Sequence, residues 1–240
     1  MTSDNPTEYA DTLTMTLFHS ALRRDLARAR VLLQDPRWLT PRKRRALGRH
    51  LLWVIGALRW HHEGEDHDLW PMLRERDPDS REVLERMAAE HHAVDEPLLR
   101  FEQASRGLVA GRTGPSDALT ALTTLERPLL DHLAHEEAEG MDIARRVLSG
   151  REWRAFEQRA WIDGYTPSQS VRFLAWMSDG VDWSEPLRRR ASLPAALYWP
   201  VIKPLSAIAH VPGLSVWANT PAARIGSSVV ADGSARRGVG

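Results

Sequence analysis

The chain has no cysteine and no excess charge of either sign. The lack of cysteine excludes disulfides, thiolate zinc sites, iron–sulfur clusters and cysteine nucleophiles. Lys and Arg together number 32 and Asp and Glu together number 32, and this zero balance argues against a general nucleic-acid binder. No stretch approaches the roughly 20 apolar residues of a membrane-spanning helix, and the polar N-terminus shows no secretion signal. We therefore expect a cytoplasmic protein with no transmembrane segment and no nucleic-acid partner.

Histidine and tryptophan are abundant, with ten of each against four phenylalanines. Six of the tryptophans follow residue 150. Residues 1–150 carry 21 basic and 25 acidic residues, a net of −4, whereas residues 151–240 carry 11 and 7, a net of +4. The composition therefore changes near residue 150. We expect a flexible segment over 1–12, a folded domain over 13–150, a C-terminal helical or irregular extension over 151–219, and a disordered tail over 220–240.

The first 150 residues are divided by strong turn signals into four long stretches with helical periodicity. These signals are Asp35-Pro36, Thr40-Pro41, Asp77-Pro78 and the segment 111–115. No stretch alternates with a period of two, so we expect no sheet. The sequence predicts an all-α fold, an antiparallel up-down four-helix bundle with a short-helix C-terminal extension. We expect Pro71 to end the second helix.

Each of the four apolar stripes contains a histidine. Steps of three and four residues keep each stripe on one face of its helix. Two of the stripes continue into a glutamate four residues after the histidine. The residues that these patterns bring to the buried faces are His19, His61, Glu65, His91, His132 and Glu136.

Two buried glutamates require compensation, because desolvating a carboxylate costs several kcal/mol. A bundle brings all four stripes to one axis, so ligands on facing helices converge there. Imidazole nitrogen with carboxylate oxygen suits Fe, Mn or Zn rather than Ca or Mg. Four histidines and two glutamates exceed one tetrahedral zinc site and fit two metal ions about 3.5–4 Å apart, with bridging carboxylates.

The motifs resemble those of hemerythrin-like, or HHE cation-binding, domains. His19 lies in LFHSAL, His61 and Glu65 in HHEGEDHDLWP, His91 in AEHHAVD, and His132 and Glu136 in DHLAHEE. They follow the family order H, HxxxE, H, HxxxE over roughly residues 13–148. The resemblance implies a four-helix bundle that holds two iron ions in a non-haem di-iron centre and binds or reacts with O2, NO or peroxide, or senses iron. The Trp- and Pro-containing extension resembles that of some actinobacterial members.

The chain departs from the oxygen-carrying hemerythrins at two positions. Their third helix carries HxxxH, whereas Asp95 stands at the second of these places here. Their fourth helix carries HxxxxD, whereas Glu136 and Glu137 follow His132 at the fourth and fifth places. One imidazole is thus missing or replaced by a carboxylate. This difference favours a protein that turns over or senses a small oxidant over a reversible oxygen carrier. We therefore expect a role in oxidative stress.

Two ligand positions have close competitors. His91 competes with His92, although the steps of three and four along the stripe favour His91. Glu136 similarly competes with Glu137.

Other polar residues are expected to flank the metal ions rather than to bind them. His62 and Asp66 form a second spaced pair, rotated about 100° from the first. Asp66, Asp95 and Glu137 are candidate acceptors for the second N–H of the metal-bound imidazoles.

Two other functions stay open. One is an iron- or redox-responsive regulator without turnover, and the other is a bundle that holds a structural zinc. For the extension, the first interpretation is a lid that shields the metal from water. The other is a docking surface for a protein partner or a membrane surface, because tryptophan favours both.

Overall fold

The computed structural model describes residues 9–184, 187, 203–204 and 215–228. Over these residues the secondary structure is helical, apart from isolated bridge residues such as the pair Tyr9 and Ser149. The helices of the first part are, in chain order, α1 (Leu13–Gln34), α2 (Pro41–Gly64), α3 (Trp70–Arg76), α4 (Arg81–Ala110), α5 (Pro115–His135) and α6 (Met141–Val147). The prediction of an all-α bundle is confirmed.

Local signals set the helix ends. The Thr40 side chain accepts a hydrogen bond from the Lys43 N–H at 3.3 Å, and Pro41 occupies the first helical position, where its missing N–H is harmless. Gly111 closes α4 with φ of 73°, a left-handed conformation that favours glycine. The sequence therefore specifies where α2 begins and where α4 ends.

The four long helices pack through their apolar stripes. α2 packs on α4, α4 on α5, and α5 on α1. Leu47, Leu51, Leu122 and Leu125 lie in the resulting core with almost no exposure. The stripes that carry the histidines consequently face one another across the axis of the bundle.

Pro71 does not end the second helix, so that prediction is wrong. A π-helical turn, Glu65–Leu69, follows α2, and α3 continues from it. The turn places Pro71 directly after a break in the α-helical hydrogen-bond pattern, where the Trp70 N–H donates to the Glu65 carbonyl five residues back. A second π-helical turn, Glu136–Gly140, joins α5 to α6 in the same way.

The extension begins with α7 (Gly150–Glu157), continues through a π-helical turn (Gln158–Ile162) and reaches α8 (Pro167–Ser178). Ser149 and Thr166 each start a helix with a reciprocal capping box. Trp153 and Phe156 pack in one cluster with bundle residues, while Trp176 and Trp183 pack in the other. The described part of the extension therefore shares its core with the bundle.

Residues 220–228 are ordered against α1, which corrects the predicted disorder over the first part of the tail. Pro221–Arg224 forms a 3₁₀ turn, and Ala222 is fully buried. The buried Arg28 guanidinium donates to the Ile225 carbonyl at 2.7 Å and pairs with both carboxylate oxygens of Asp179. Composition alone missed this segment because a backbone carbonyl, rather than a large apolar side chain, anchors it.

A buried network beside this pair fixes α8 to α1. Asp25 accepts hydrogen bonds from the Trp176 indole at 2.8 Å and from Arg24 at 2.9 Å, and its Oδ2 lies 2.6 Å from Nε2 of His50. Burial alone would raise the pKa of Asp25, but Arg24 and His50 hold that pKa well below its ordinary value. The ionised carboxylate thus links two bundle helices to the extension.

Several predicted segments lie outside the described residues. These are residues 1–8, residues 229–240 and, apart from 203 and 204, the proline-rich stretch 193–214. Among the described helices, none is both long enough and apolar enough to cross a membrane.

Candidate metal centre

Seven buried imidazole and carboxylate side chains meet at the axis of the bundle. We call them the histidine–glutamate cluster. Its members come from α1, the end of α2, α4, α5 and the first residue of each π-helical turn between α2 and α3 and between α5 and α6: His19, His61, His62, Glu65, His91, His132 and Glu136.

One group of ligand atoms joins α1, α2 and the turn after α5. One nitrogen or oxygen from each of His19, His61 and Glu136 lies within 4.8 Å of the others. Nε2 of His19 lies 3.2 Å from Nε2 of His61 and 3.2 Å from Oε2 of Glu136. Three potential donors thus converge on one point.

A second group joins α2, α4 and α5. It consists of His62, His91 and His132, whose ligand atoms also lie within 4.8 Å of one another. Nε2 of His91 lies 3.1 Å from Nε2 of His132, and the rings of His62 and His91 stack with centroids 4.0 Å apart. This group offers three imidazoles.

Both carboxylates lie between the two groups. Glu65 places one oxygen 2.9 Å from Nε2 of His61 and the other 3.5 Å from Nε2 of His91. Oε2 of Glu136 lies 3.2 Å from Nε2 of His19 and 3.6 Å from Nε2 of His132. Each carboxylate therefore contacts one histidine of each group, as a bridge between two metal ions requires.

Five buried polar atoms of the cluster lack ordinary hydrogen-bond partners. None of the four oxygens of Glu65 and Glu136, nor Nε2 of His62, makes a well-aligned hydrogen bond to the described residues, although all are buried. Buried polar groups are otherwise almost always hydrogen-bonded, and a buried carboxylate needs a compensating charge. These atoms are therefore suited to bind metal cations.

Burial and neighbouring charges shift the pKa values of the cluster side chains. Burial, and then the neighbouring Glu136, raise the pKa of Glu65 well above its usual range. Burial would also raise the pKa of Glu136, but His19, whose own pKa is raised by Glu136, holds the pKa of that carboxyl well below its ordinary value. Burial lowers the pKa values of His61 and His62 well below the ordinary value, and that of His132 to about 4. These imidazoles are neutral near pH 7 and keep a lone pair for a metal ion.

Outer carboxylates orient three of the imidazoles through Nδ1, a common arrangement around metal-bound histidine. Nδ1 of His19 lies 3.0 Å from Glu137, which also pairs with Arg23 at 2.6 Å. Nδ1 of His91 lies 2.9 Å from Asp66.

The third outer carboxylate is Glu90. Its Oε2 lies 3.2 Å from Nδ1 of His132, and its Oε1 lies 2.7 Å from the exposed His135. All three contacts leave Nε2 of the inner imidazole directed into the cluster.

The walls around the cluster are aromatic. Phe18 stacks on His61 with centroids 4.2 Å apart, and Trp161 from the extension lies nearly parallel to the same ring at 5.0 Å. Trp70 lies 6.4 Å from the ring of His91. Water is thereby excluded from much of the surface of the cluster.

Residues 12–142 match the family model described as the hemerythrin HHE cation binding domain. This span covers more than half of the chain. The chain belongs to the hemerythrin HHE family. Comparison with curated proteins and with solved structures gave no significant match. Membership implies that the domain binds metal cations, iron in this family, and the match includes every member of the histidine–glutamate cluster.

The structure brings all six residues predicted from the sequence together in this hemerythrin domain. It also distinguishes the candidate ligands His91 and Glu136 from their neighbours His92 and Glu137. The His92 side chain is 85% exposed and pairs with Asp95, away from the cluster, whereas Glu137 contacts the outer nitrogen of His19. Asp95 is therefore not an acceptor for a cluster histidine.

Sequence reasoning missed two residues of the site. His62 belongs to the second group rather than to its flank, because the cluster is wide enough for successive residues at the end of α2 to face different neighbours. Its signal was the adjacent pair His61-His62. Glu90 was missed because a carboxylate beside a histidine on an exposed helix edge resembles any solvated residue. The family match ends at residue 142, so Trp161 lies beyond it.

Proposed function

We propose that this hemerythrin domain holds a non-haem di-iron centre at which O2, NO or peroxide binds or reacts. One observation supports the proposal above all. Glu65 and Glu136 are buried, lack aligned hydrogen-bond donors, and each lies between the two histidine groups. A single ion would leave one group of imidazoles without a function.

The donor set is compatible with iron. Five imidazole nitrogens and two carboxylates, without sulfur, suit iron, manganese or zinc. Two divalent cations carry a charge of +4, which offsets the two glutamates and keeps both ionised. In the metal-free protein a proton on Glu65 takes the place of the compensating cation. The raised pKa of Glu65 favours its neutral form, and the lowered pKa of Glu136 favours its ionised form.

The residues of the chain have distinct tasks in this proposal. The five histidines of the cluster would hold the ions through imidazole nitrogens, and Glu65 and Glu136 would contribute carboxylate oxygens between them. Glu137, Asp66 and Glu90 fix the orientation of three imidazoles. When bound, an iron pair supplies redox and Lewis-acid chemistry toward small oxidants.

His62 changes the interpretation of the family departures. The expectation of turnover rested on a missing imidazole, and His62 provides a fifth from α2 in place of the second histidine absent from α4. Binding and turnover of a small ligand therefore both fall within the proposal, and a cytoplasmic location stays part of it.

Metal analysis together with an optical spectrum of aerobically purified protein tests the proposal. Two irons per chain and the near-ultraviolet bands of a coupled ferric pair are expected. One colourless zinc per chain would overturn the proposal in favour of a structural role.

The reduced protein separates the remaining outcomes. A long-lived spectral change with O2 indicates a carrier, and rapid reoxidation with loss of added peroxide indicates turnover. Two irons that respond to neither ligand nor oxidant would favour a regulator.

A further inference from the structure

Within the described part of the chain, two cluster histidines, His61 and His62, lack the outer carboxylate that orients the other three. His19, His91 and His132 each have an acidic side chain at Nδ1. Among the described residues, no carboxylate contacts Nδ1 of His61. The ring of this histidine must be fixed by something else.

Trp161 is positioned to fix it. Its ring lies 5.0 Å from that of His61 at an interplanar angle of 30°, and its indole N–H donates to the His61 carbonyl at 3.4 Å. One side chain thus contacts both the ring and the backbone of the same residue. Phe18 stacks on that imidazole as well, at 27°.

Glycine creates the space for this contact. A Cβ on Gly64, next to Glu65, would lie 2.7 Å from Nε1 of Trp161. The fit is reciprocal, because a Cβ on Gly164 would lie 2.1 Å from the ring of Trp60. The Trp60 indole also donates to the Ala160 carbonyl. Two interlocked tryptophan–glycine pairs therefore hold the segment 158–165 on the end of α2.

We propose that Trp161 is a positioning residue of the metal centre. It fixes the ring of His61 by stacking, where His19, His91 and His132 use a carboxylate, and it closes that side of the cluster to water. The extension beyond the family match is thereby part of the metal site. This inference rests on the proposed di-iron function.

The test measures the rate at which a chelator removes iron from protein loaded anaerobically with Fe²⁺. Trp161→Ala should release iron about tenfold faster, the order of effect seen when the outer partner of a metal-bound histidine is lost. Trp161→Phe, which keeps a stacking ring, should restore most of the wild-type rate. Trp153→Phe is the matched control, because Trp153 is buried in the preceding helix α7 and its ring centroid lies 6.5 Å from that of Trp161. It should lower stability without changing the release rate.

Gly64→Ala tests the same contact without altering Trp161. Its new methyl should displace the indole and accelerate iron release. The double variant with Trp161→Ala should then release iron no faster than Trp161→Ala alone. Additive effects would overturn the proposal, because they would mean that Gly64 acts independently of the tryptophan.

The outcomes separate this inference from the function on which it rests. Wild-type protein that binds no iron would refute the proposed function itself. Wild-type protein that binds two irons, with Trp161→Ala folded and releasing them at the wild-type rate, would refute only the role of Trp161. An equal acceleration in Trp153→Phe would reduce that role to general stability.

Discussion

Replacing His62 with phenylalanine should stabilise the metal-free protein and destabilise the iron-loaded protein. Nε2 of His62 is buried without a hydrogen-bond partner, and an unsatisfied buried polar group costs about 1–3 kcal/mol. Phenylalanine retains the stack on His91, at 4.0 Å between ring centroids, and removes the polar atom. Burial keeps the pKa of His62 well below its usual value, so the substitution removes no charge at pH 7.

In the iron-loaded protein the same substitution should lower the stability. The second group loses one of its three ligands, and with it most of the affinity for one ion. Free iron at a thousandfold excess over the Kd of that site stabilises a protein by about 4.1 kcal/mol, which exceeds the gain of about 1–3 kcal/mol from removing the unsatisfied nitrogen. For a chain of this size, each kcal/mol corresponds to roughly 2–4 °C in Tm. The metal-free variant should therefore melt a few degrees above wild type, and the loaded variant several degrees below.

Thermal unfolding followed by circular dichroism, with and without iron, measures both effects. Iron analysis after desalting should give one ion per chain instead of two. His92→Phe is the control, because this neighbouring side chain is exposed and should leave stoichiometry unchanged. If His62→Phe keeps two irons and the wild-type increase in Tm on loading, His62 is not a ligand. A metal-free variant that melts below wild type would show that the unsatisfied nitrogen carries no penalty.

Three further predictions concern single groups. Burial raises the pKa of Glu157 from 4.5 to about 7. Stability should therefore fall between these pH values as the unfolded chain ionises first, by at most about 3 kcal/mol. Glu157→Gln should abolish that slope in urea unfolding at pH 5 and pH 8, and an unchanged slope would contradict the assignment. Asp179→Ala removes the close carboxylate partner of the buried Arg28 and leaves only Asp25 among the described carboxylates, at 3.9 Å, which should cost up to about 3–5 kcal/mol and expose residues 215–228 to hydrogen exchange. Full protection of that segment would show that the pair does not anchor it. Glu137→Gln should weaken iron binding about 10–100-fold through His19, measured against a competing chelator, and unchanged affinity would argue against an orienting role.

The sequence was sufficient to predict the site residues that lie on the apolar stripe of a helix. Steps of three and four placed His19, His91 and His132 on the inward faces of α1, α4 and α5, because a helix turns by a fixed angle per residue. The buried glutamates followed from the same count. The remaining features depend on which helices pack against each other. The apolar stripe of a single helix does not contain that information.

His62 shows this limit clearly. The residue is off the stripe of α2, yet α4 approaches that edge and brings His91 onto it. The ordering of residues 220–228 was hidden for a similar reason. Its anchor is Arg28, a buried cation on α1, and nothing in the sequence links that arginine to a carbonyl almost 200 residues away.

The two π-helical turns of the bundle, Glu65–Leu69 and Glu136–Gly140, change the phase of the helices that they interrupt. A π-helical turn holds one more residue than an α-helical turn, so every later side chain is rotated by about 100°. Two successive buried residues follow each glutamate, Leu69 and Trp70 after Glu65 and Gly140 and Met141 after Glu136, and the buried positions then continue to Leu73 and Ala144. Each turn thus acts as a one-residue insertion that realigns α3 and α6 with the core. Deleting one residue from either turn would restore a regular helix, and would present the apolar face of the helix that follows to solvent.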